Sequence, residues 1–357
     1  MPAQEETTRN TTEPGSARVA DHPLQMDVVG AKALVLGGDE HAAVDVARLL
    51  SAGAHVTVHA TRACAYVEDL ATRCLITWVR HEATLEEVVS ADLTLRPRLR
   101  SQPRPAGLDE KGAQGQVTLV GGGPGAVDLM TLAGREAIAK ADVVVIDRLA
   151  PWEALTWARP DAEIVDVAKI PFGRFTSQEE INRILVDRAL AGQQVVRLKG
   201  GDSFVFGRGH EELEACREAG VPARVIPGVT SSIAVPGAAG IPVTHRGLTQ
   251  GFTVVSGHVP PGHPESSLDY AALARCGTTL VFLMGVGTLD AITAELCAVG
   301  MDAATPAAVI ADGTHLHQRV ITASLASIAE VAHDAGIRAP AVVVIGQVVS
   351  LRRTGSP

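Results

Sequence analysis

The sequence predicts an α/β protein, built as a short strand–helix–strand unit followed by two larger α/β halves. Short β-branched runs alternate with stretches of helical periodicity along most of the chain, the pattern of strands covered by helices. A Pro-, Gly-, Arg- and Gln-rich interruption, RPRLRSQPRPAGLDEKGAQGQ, breaks that rhythm between Arg96 and Gln116. Glycine-rich turns stand where apolar runs end, at Gly121 to Gly125 and at Gly200 and Gly201.

Taken in order, residues 1–24 are polar, rich in Thr, Glu and Pro, and predict a mobile tail. From Ala33 the run ALVLG, a Gly-Gly turn, the helical stretch AAVDVARLLSAG and the run HVTVHA form one strand–helix–strand unit, within a front segment 25–95. Residues 96–116 read as an exposed linker, with ADLTLRPRLR leading straight into it. Beyond it the strand candidates are VTLV, VVVI, IVDV, VVRL and ARVI in a first half, 117–245. TVVS, TLVFLM, AAVIA and AVVVIGQVV follow in a second half, 246–350, before a tail, 351–357. Between strands, Ser177 and Glu180 fit a capping box, Ile181, Ile184 and Leu185 share a helix face, and Gly192 suits the stop.

The bulk properties exclude several classes. A chain of 357 residues exceeds one small core and predicts two or three compact units. The net charge of -9 and the lack of a basic run argue against nucleic acid as a partner. No apolar stretch reaches the roughly 18 residues needed to cross a bilayer, so no membrane partner and a cytoplasmic location are expected. The five cysteines form no CxxC pair and read as reduced, buried structural thiols, and no metal site is expected.

Three strings carry the chemistry. VTLVGGGPGAVDLMTL runs a strand into Gly121, Gly122, Gly123, Pro124 and Gly125; it reads as a tight turn or as a place where a ligand meets bare backbone. VRLKGGDSFVFGRG brings Lys199, Gly200, Gly201 and Asp202 to a strand's carboxyl end, where α/β sheets bind ligands. Asp202 there either accepts from a ligand's hydroxyls or ammonium, or caps the next helix. VIPGVTSSIAVPGAAGIPVTHR is dense in small residues that allow close packing or room for a flat ligand.

In this order and at these separations the three strings resemble the tetrapyrrole methylase family, and most closely its uroporphyrinogen-III C-methyltransferases, over roughly two thirds of the chain. The resemblance implies two α/β domains, with S-adenosyl-L-methionine and a tetrapyrrole in the cleft between them, and a homodimer. It implies cofactor contacts at Pro124, Gly200, Gly201, Asp202, Val205, Thr230, Ser231, Met284 and Gly313. Ser231 stands where the family more often has alanine. The resemblance also implies a proton acceptor at Asp147 and a proton donor at Lys169; read without it, they are a turn carboxylate and a surface lysine. After Lys169 the family often reads like KRAGYH, whereas this chain has KIPFGRF, which places Arg174 where the histidine stands. Arg148, Arg174, Arg197, Arg208 and Arg246 flank the motifs and could meet the substrate's carboxylates.

The implied activity is methylation of uroporphyrinogen III at C2 and C7 to precorrin-2, for sirohaem or cobalamin synthesis. The alternatives are another methylase of the same fold and a non-catalytic tetrapyrrole-binding protein. The front segment resembles the dehydrogenase part of sirohaem synthases, a truncated Rossmann-like domain. Gly38 and Ala43 match its dinucleotide turn, but Glu40 replaces the glycine that lets a pyrophosphate approach. The family's Thr-Asp stretch and long dimerisation segment are missing, so NAD binding and dehydrogenase activity are not expected.

Overall fold

A computed structural model of the chain describes residues 26–97, 115–167 and 176–353. Lys169, Arg174, the residues 1–24 and most of the expected linker lie outside the described residues.

The front segment runs β1 (Lys32–Leu36), α1 (Glu40–Ser51), β2 (His55–His59), α2 (Ala65–Thr72), β3 (Thr77–Val79), α3 (Leu85–Ser90) and β4 (Leu93–Leu95). Its four strands form one parallel sheet in the order β3-β2-β1-β4, half of a doubly wound arrangement. The run LTL, just ahead of the expected linker, is a strand paired with β1. Asp39 caps α1 by accepting from Ala42 N, and the small buried side chains of Ala42, Ala43, Val46 and Ala47 let the helix lie close to the sheet. Gly38 leaves no room above this turn. A Cβ there would stand 2.9 Å from Ala60 and 3.0 Å from Ala63, so the close approach of the chain's own 60–63 loop requires glycine at this position.

The first large sheet holds β5 (Gln116–Gly121), β6 (Val143–Ile146), β7 (Glu163–Asp166), β8 (Gln194–Lys199) and β9 (Ala223–Ile226), all parallel, in the order β7-β6-β8-β5-β9. Its helices are α4 (Leu132–Lys140), α5 (Gln178–Leu190) and α6 (Gly209–Glu218). Burial on both faces explains the near-continuous apolar strands. Val117, Val145 and Val195 face the core under α5 and α6, while Val120, Ile146 and Leu198 face the opposite way. Ser177 caps α5 by accepting from Glu180 N, but the expected reciprocal half of the box is absent, because Arg183 donates to both Glu180 oxygens. Gly192 ends that helix with a φ of 85°.

Next comes α7 (Ser231–Ala238), then β10 (Phe252–Ser256), α8 (Tyr270–Arg275), β11 (Thr279–Leu283), α9 (Leu289–Ala298), β12 (Pro306–Ala311), β13 (Arg319–Ser324), α10 (Ile328–Asp334) and β14 (Ala341–Ile345). This sheet is mixed, in the order β10-β11-β14-β12-β13, with β14 antiparallel to both neighbours. The sequence reading lacks β13, whose residues are half exposed at the sheet edge and carry no continuous apolar signal. It also runs β14 on through GQVV, where the chain instead forms a 3₁₀ turn, Gln347–Leu351. α7 packs on this second sheet through Val235 and Ala239, so the chain crosses between sheets before residue 245.

The front segment shares one core with the first large sheet. Ala43, Val46 and Val67 join Trp152, Leu155 and Ile146 in a single buried cluster, and Tyr66 stacks on Trp152 with ring centroids 4.7 Å apart. Two of the five cysteines, Cys74 and Cys276, are exposed, contrary to the buried reading; burial pushes the Cys64 thiol up to about 12 and Cys216 to about 11. Trp152→Ala should remove about 3–5 kcal/mol of stability, the range for deleting a buried Trp. The measurements are a lower denaturation midpoint and faster proteolysis within residues 26–97.

Candidate active site

Strand ends define the site. At the carboxyl edge of the first sheet, β5 runs into Gly121 to Gly125, β6 into Asp147 and β8 into Gly200 to Asp202. Opposite them stands one edge of the second sheet. Leu283 and Ile310 are both in register with Val342, so the ends of β11 and β12 leave that edge together, carrying Met284 and the turn Asp312 to Thr314.

Three turns meet backbone to backbone on the first sheet's edge. Gly201 N donates to Gly123 O at 2.6 Å and Gly123 N to Gly201 O at 3.1 Å, while Gly122 N donates to Lys199 O at 2.7 Å. Gly228, after β9, packs into the same knot, where a Cβ would lie 2.6 Å from Gly121 Cα and closer still to Gly201 O. Most of these glycines are thus required by neighbouring backbone, which fits the tight-turn alternative of the sequence reading. At Gly200 a Cβ would meet Leu149 O at 2.7 Å. Gly201 is the exception: its φ is 68°, and the nearest atom to its missing Cβ is Ser231 N at 3.9 Å, so the space above it is open.

Asp202 is taken up by the loop itself. Oδ1 accepts from Phe204 N at 2.9 Å and from Val205 N at 3.3 Å, and Oδ2 accepts from Gly228 N at 3.0 Å. It does not cap the next helix, α6, which begins at Gly209 after Arg208; it closes a turn onto Phe204 N and Val205 N and ties that loop to Gly228. Thr230 caps α7, its Oγ1 accepting from Ser232 N, which points the N-terminus of that helix, with Ser231, toward Gly201. Val205 reaches across to the core under α7. Gly313 is buried against Val235 of α7, and Ala126 N, just past Pro124 and Gly125, donates to Thr314 Oγ1 at 3.0 Å. These contacts bring together the turns Gly123 to Ala126, Gly200 to Val205, Thr230 to Ser231 and Asp312 to Thr314, and Met284, 50% exposed, leaves the second sheet on the same edge as the last of them.

Strain concentrates here. Among the described residues six non-glycine positions have positive φ, and five of them, Phe206, Arg208, Met284, Asp312 and Thr314, stand in these loops. The sequence reading misses another feature, the exposed apolar side chains Leu149, Phe204, Phe206, Val229 and Ile233 that flank the motifs. Their adjacency to glycine turns is the signal that could have found them.

Asp147 sits just past β6. Its Oδ2 accepts from Arg197 Nη2 at 3.2 Å and its Oδ1 from Gly200 N at 3.4 Å. Arg197, expected from sequence as one of the arginines that could meet substrate carboxylates, is held inside the protein. It is 3% exposed, and its Nε donates to Glu212 Oε1 at 3.0 Å while Nη1 donates to the carbonyls of Val145 and Leu198. Four of its five N–H donors are thus taken up within the protein. Lys199 Nζ donates to the same Glu212 oxygen at 3.0 Å, and burial, then the neighbouring Arg197, lowers its pKa. Arg148 is also engaged, donating to Asp69 Oδ1 of α2 at 2.8 Å. Arg208 pairs with Glu211 in the open, and Arg246 is exposed in the turn after α7. Away from the crevice, His59, His81 and Glu87 place possible ligand atoms within 4.8 Å of one another, but Glu87 Oε2 is held in the Thr84 capping box of α3.

The turn after β12 carries two packed imidazoles. His315 stacks on His317 with ring centroids 5.2 Å apart, and its ring occupies the space beside Gly125. Burial pushes His315 and His317 each down to about 4, with the facing His317 adding to the effect on His315.

Comparison with known proteins gives one consistent picture. The family model for tetrapyrrole (corrin/porphyrin) methylases matches residues 116–329. The uroporphyrinogen-III C-methyltransferase of Methanocaldococcus jannaschii is 47% identical over 238 residues, 66% of this chain and 98% of that protein. The siroheme synthase of Xylella fastidiosa is 44% identical over 66% of this chain, but the match spans only 49% of its length. Among solved structures, the uroporphyrin-III C-methyl transferase of Thermus thermophilus complexed with S-adenyl homocysteine superposes with a TM-score of 0.57 and 40% identity, covering 66% of this chain and all of that one.

Two outcomes test this geometry. Gly228→Ala should destabilise the chain by about 1–3 kcal/mol through overpacking, whereas Gly237→Ala in α7, with nothing near its missing Cβ, should be neutral or gain up to about 1 kcal/mol; denaturant midpoints decide. For the imidazole pair, the unfolded chain binds protons below its ordinary pKa of 6.5 that the folded pair refuses until about 4. Stability should therefore fall as the pH drops through that window, and His315→Gln should flatten the dependence of the melting temperature on pH.

Proposed function

The chain belongs to the tetrapyrrole (corrin/porphyrin) methylase family, and on that premise we propose that it methylates uroporphyrinogen III at C2 and C7, giving precorrin-2 for sirohaem or cobalamin synthesis. The observation that carries this reading is the crevice itself. The motif residues lie in it, and the match to the Methanocaldococcus jannaschii enzyme runs over 98% of that protein's length.

The residues present fit S-adenosyl-L-methionine as donor. Open space above Gly201 meets the N-terminus of α7, and Met284 and Val205 offer apolar surface beside it. The sulfonium supplies an already activated methyl group, so little acid–base help is needed before transfer. What the chain contributes is position: rigid glycine turns and the strained loops hold donor and ring in line within a crevice that limits water. As the carbon–carbon bond forms, the carbon–sulfur bond breaks and the ring gains a positive charge, which it loses by giving up a proton. Asp147 is the acceptor in this reading, its carboxylate aimed by Arg197 and by Gly200 N. The proton donor assigned by resemblance, Lys169, lies outside the described residues.

The protein works as a homodimer in the cytoplasm in this reading, and no described helix is long and apolar enough to cross a membrane. The exposed Phe204, Phe206 and Val229 supply apolar surface for a macrocycle or a second copy. Arg208 and Arg246 are the described cations that would receive substrate carboxylates, in place of Arg197 and Arg148. The front segment is not read as a dehydrogenase, since Glu40 stands where that family has the glycine that lets a pyrophosphate approach.

Incubation with S-adenosyl-L-methionine and anaerobic uroporphyrinogen III should add two methyl groups by mass spectrometry; a product with one methyl, or none, rejects the assignment. Asp147→Asn should lower kcat by about 10²- to 10⁴-fold, with affinity for S-adenosylhomocysteine close to that of the unchanged chain.

A further inference from the structure

The methylase reading leaves the front segment without a task, yet its helix α2 touches both walls of the crevice. Asp69, in the last turn of α2, accepts from Arg148 Nη1 at 2.8 Å on one oxygen and from Arg73 Nη1 at 3.3 Å on the other. Arg73, directly after α2, donates through its other nitrogen to Asp312 of the second half. The four side chains form one continuous relay, Arg148–Asp69–Arg73–Asp312, each 9–15% exposed. Its two ends are not arbitrary positions. Arg148 adjoins Asp147, and Asp312 adjoins Gly313, whose backbone packs on α7.

The rest of the segment is fastened to one wall. Tyr66 stacks on Trp152, Ala65 N donates to Asp166 at 3.2 Å, and the shared apolar core seats α1 against the first large sheet. A helix anchored this way on one half, with a charged arm reaching the other, resists their separation. Asp312 also needs its partner: burial raises its pKa, the Arg73 guanidinium is the largest influence opposing that, and the residue is held at a φ of 51°.

We propose that the front segment is a strap. Through Asp69 and Arg73 it ties the loop after β6 to the loop after β12, and so sets the width of the crevice in which the methyl donor sits. Asp69 and Arg73 are positioning residues, and the segment is a working part of the methylase. The last step, from crevice width to donor affinity, rests on the methylase reading; the mechanical tie does not.

The test uses the full chain with Asp69→Asn, Arg73→Gln and the exposed neighbour Arg62→Gln as control. Hydrogen exchange without ligand is read in the peptides that cover 284–290 and 311–316, and S-adenosylhomocysteine affinity is read by calorimetry. Both variants should speed exchange in those peptides while β5 and β8 stay protected, and should weaken the thioether about tenfold, the scale of losing one partner of a half-buried ion pair. Asp69→Glu should recover part of the loss, and Asp312→Asn combined with Arg73→Gln should be no worse than either alone. Should Asp69→Asn fail to fold, Arg73→Gln, which leaves the Asp69–Arg148 pair in place, carries the test. Exchange at 311–316 and affinity both within twofold of the parent overturn the strap. A parent chain that binds no S-adenosylhomocysteine overturns the methylase reading instead, and the exchange comparison still decides the tie.

Discussion

Close approach of backbone to backbone at the first sheet's edge is the constraint on which the site depends. Gly121 to Gly123, Gly201 and Gly228 come from three separate strand ends, and their hydrogen bonds leave no volume for side chains between them. Strand order makes this possible, because β8 and β9 flank β5 on either side. Once the turns interlock, Asp202 ties the outer loop to Gly228 N and α7 is aimed at the remaining gap. The open volume above Gly201 is thus what the interlocked turns leave over.

Beneath that knot lies a group of buried charges. Glu212, fully buried, holds both Arg197 and Lys199 on one oxygen, and Arg197 in turn holds Asp147. Arg197 and Lys199 alternate with apolar Leu198 along β8, so the same strand feeds charge to one face and hydrocarbon to the other. Buried ion pairs contribute little net stability but strongly favour one arrangement of their members. Here the arrangement selected is that of the Asp147 carboxylate at the crevice wall.

Much of this was legible in the sequence because period and punctuation agree. The parallel strands of the first half are short apolar runs between glycine turns, and the three ordered strings stand at the ends of those strands. What the sequence hid were relations across distance. Arg197 in VRLK reads as a contact for substrate carboxylates, since nothing local announces that Glu212 will hold it. Asp202 reads as a ligand contact because its partner Gly228 N lies 26 residues on. β13, exposed along one edge, has no apolar rhythm to betray it. The part played by α2 was invisible for the same reason, its partners Arg148 and Asp312 being far along the chain.

The shared core of Tyr66 and Trp152 also governs the order in which the protein can be made. The front segment leaves the ribosome before the first large sheet, and helix residues such as Ala43 and Val67 join their core only when Trp152 and Leu155 arrive. Until then the newborn N-terminal domain carries an uncovered greasy face. Its cover comes from Trp152 and Leu155, far along the chain, so the two parts complete one core together.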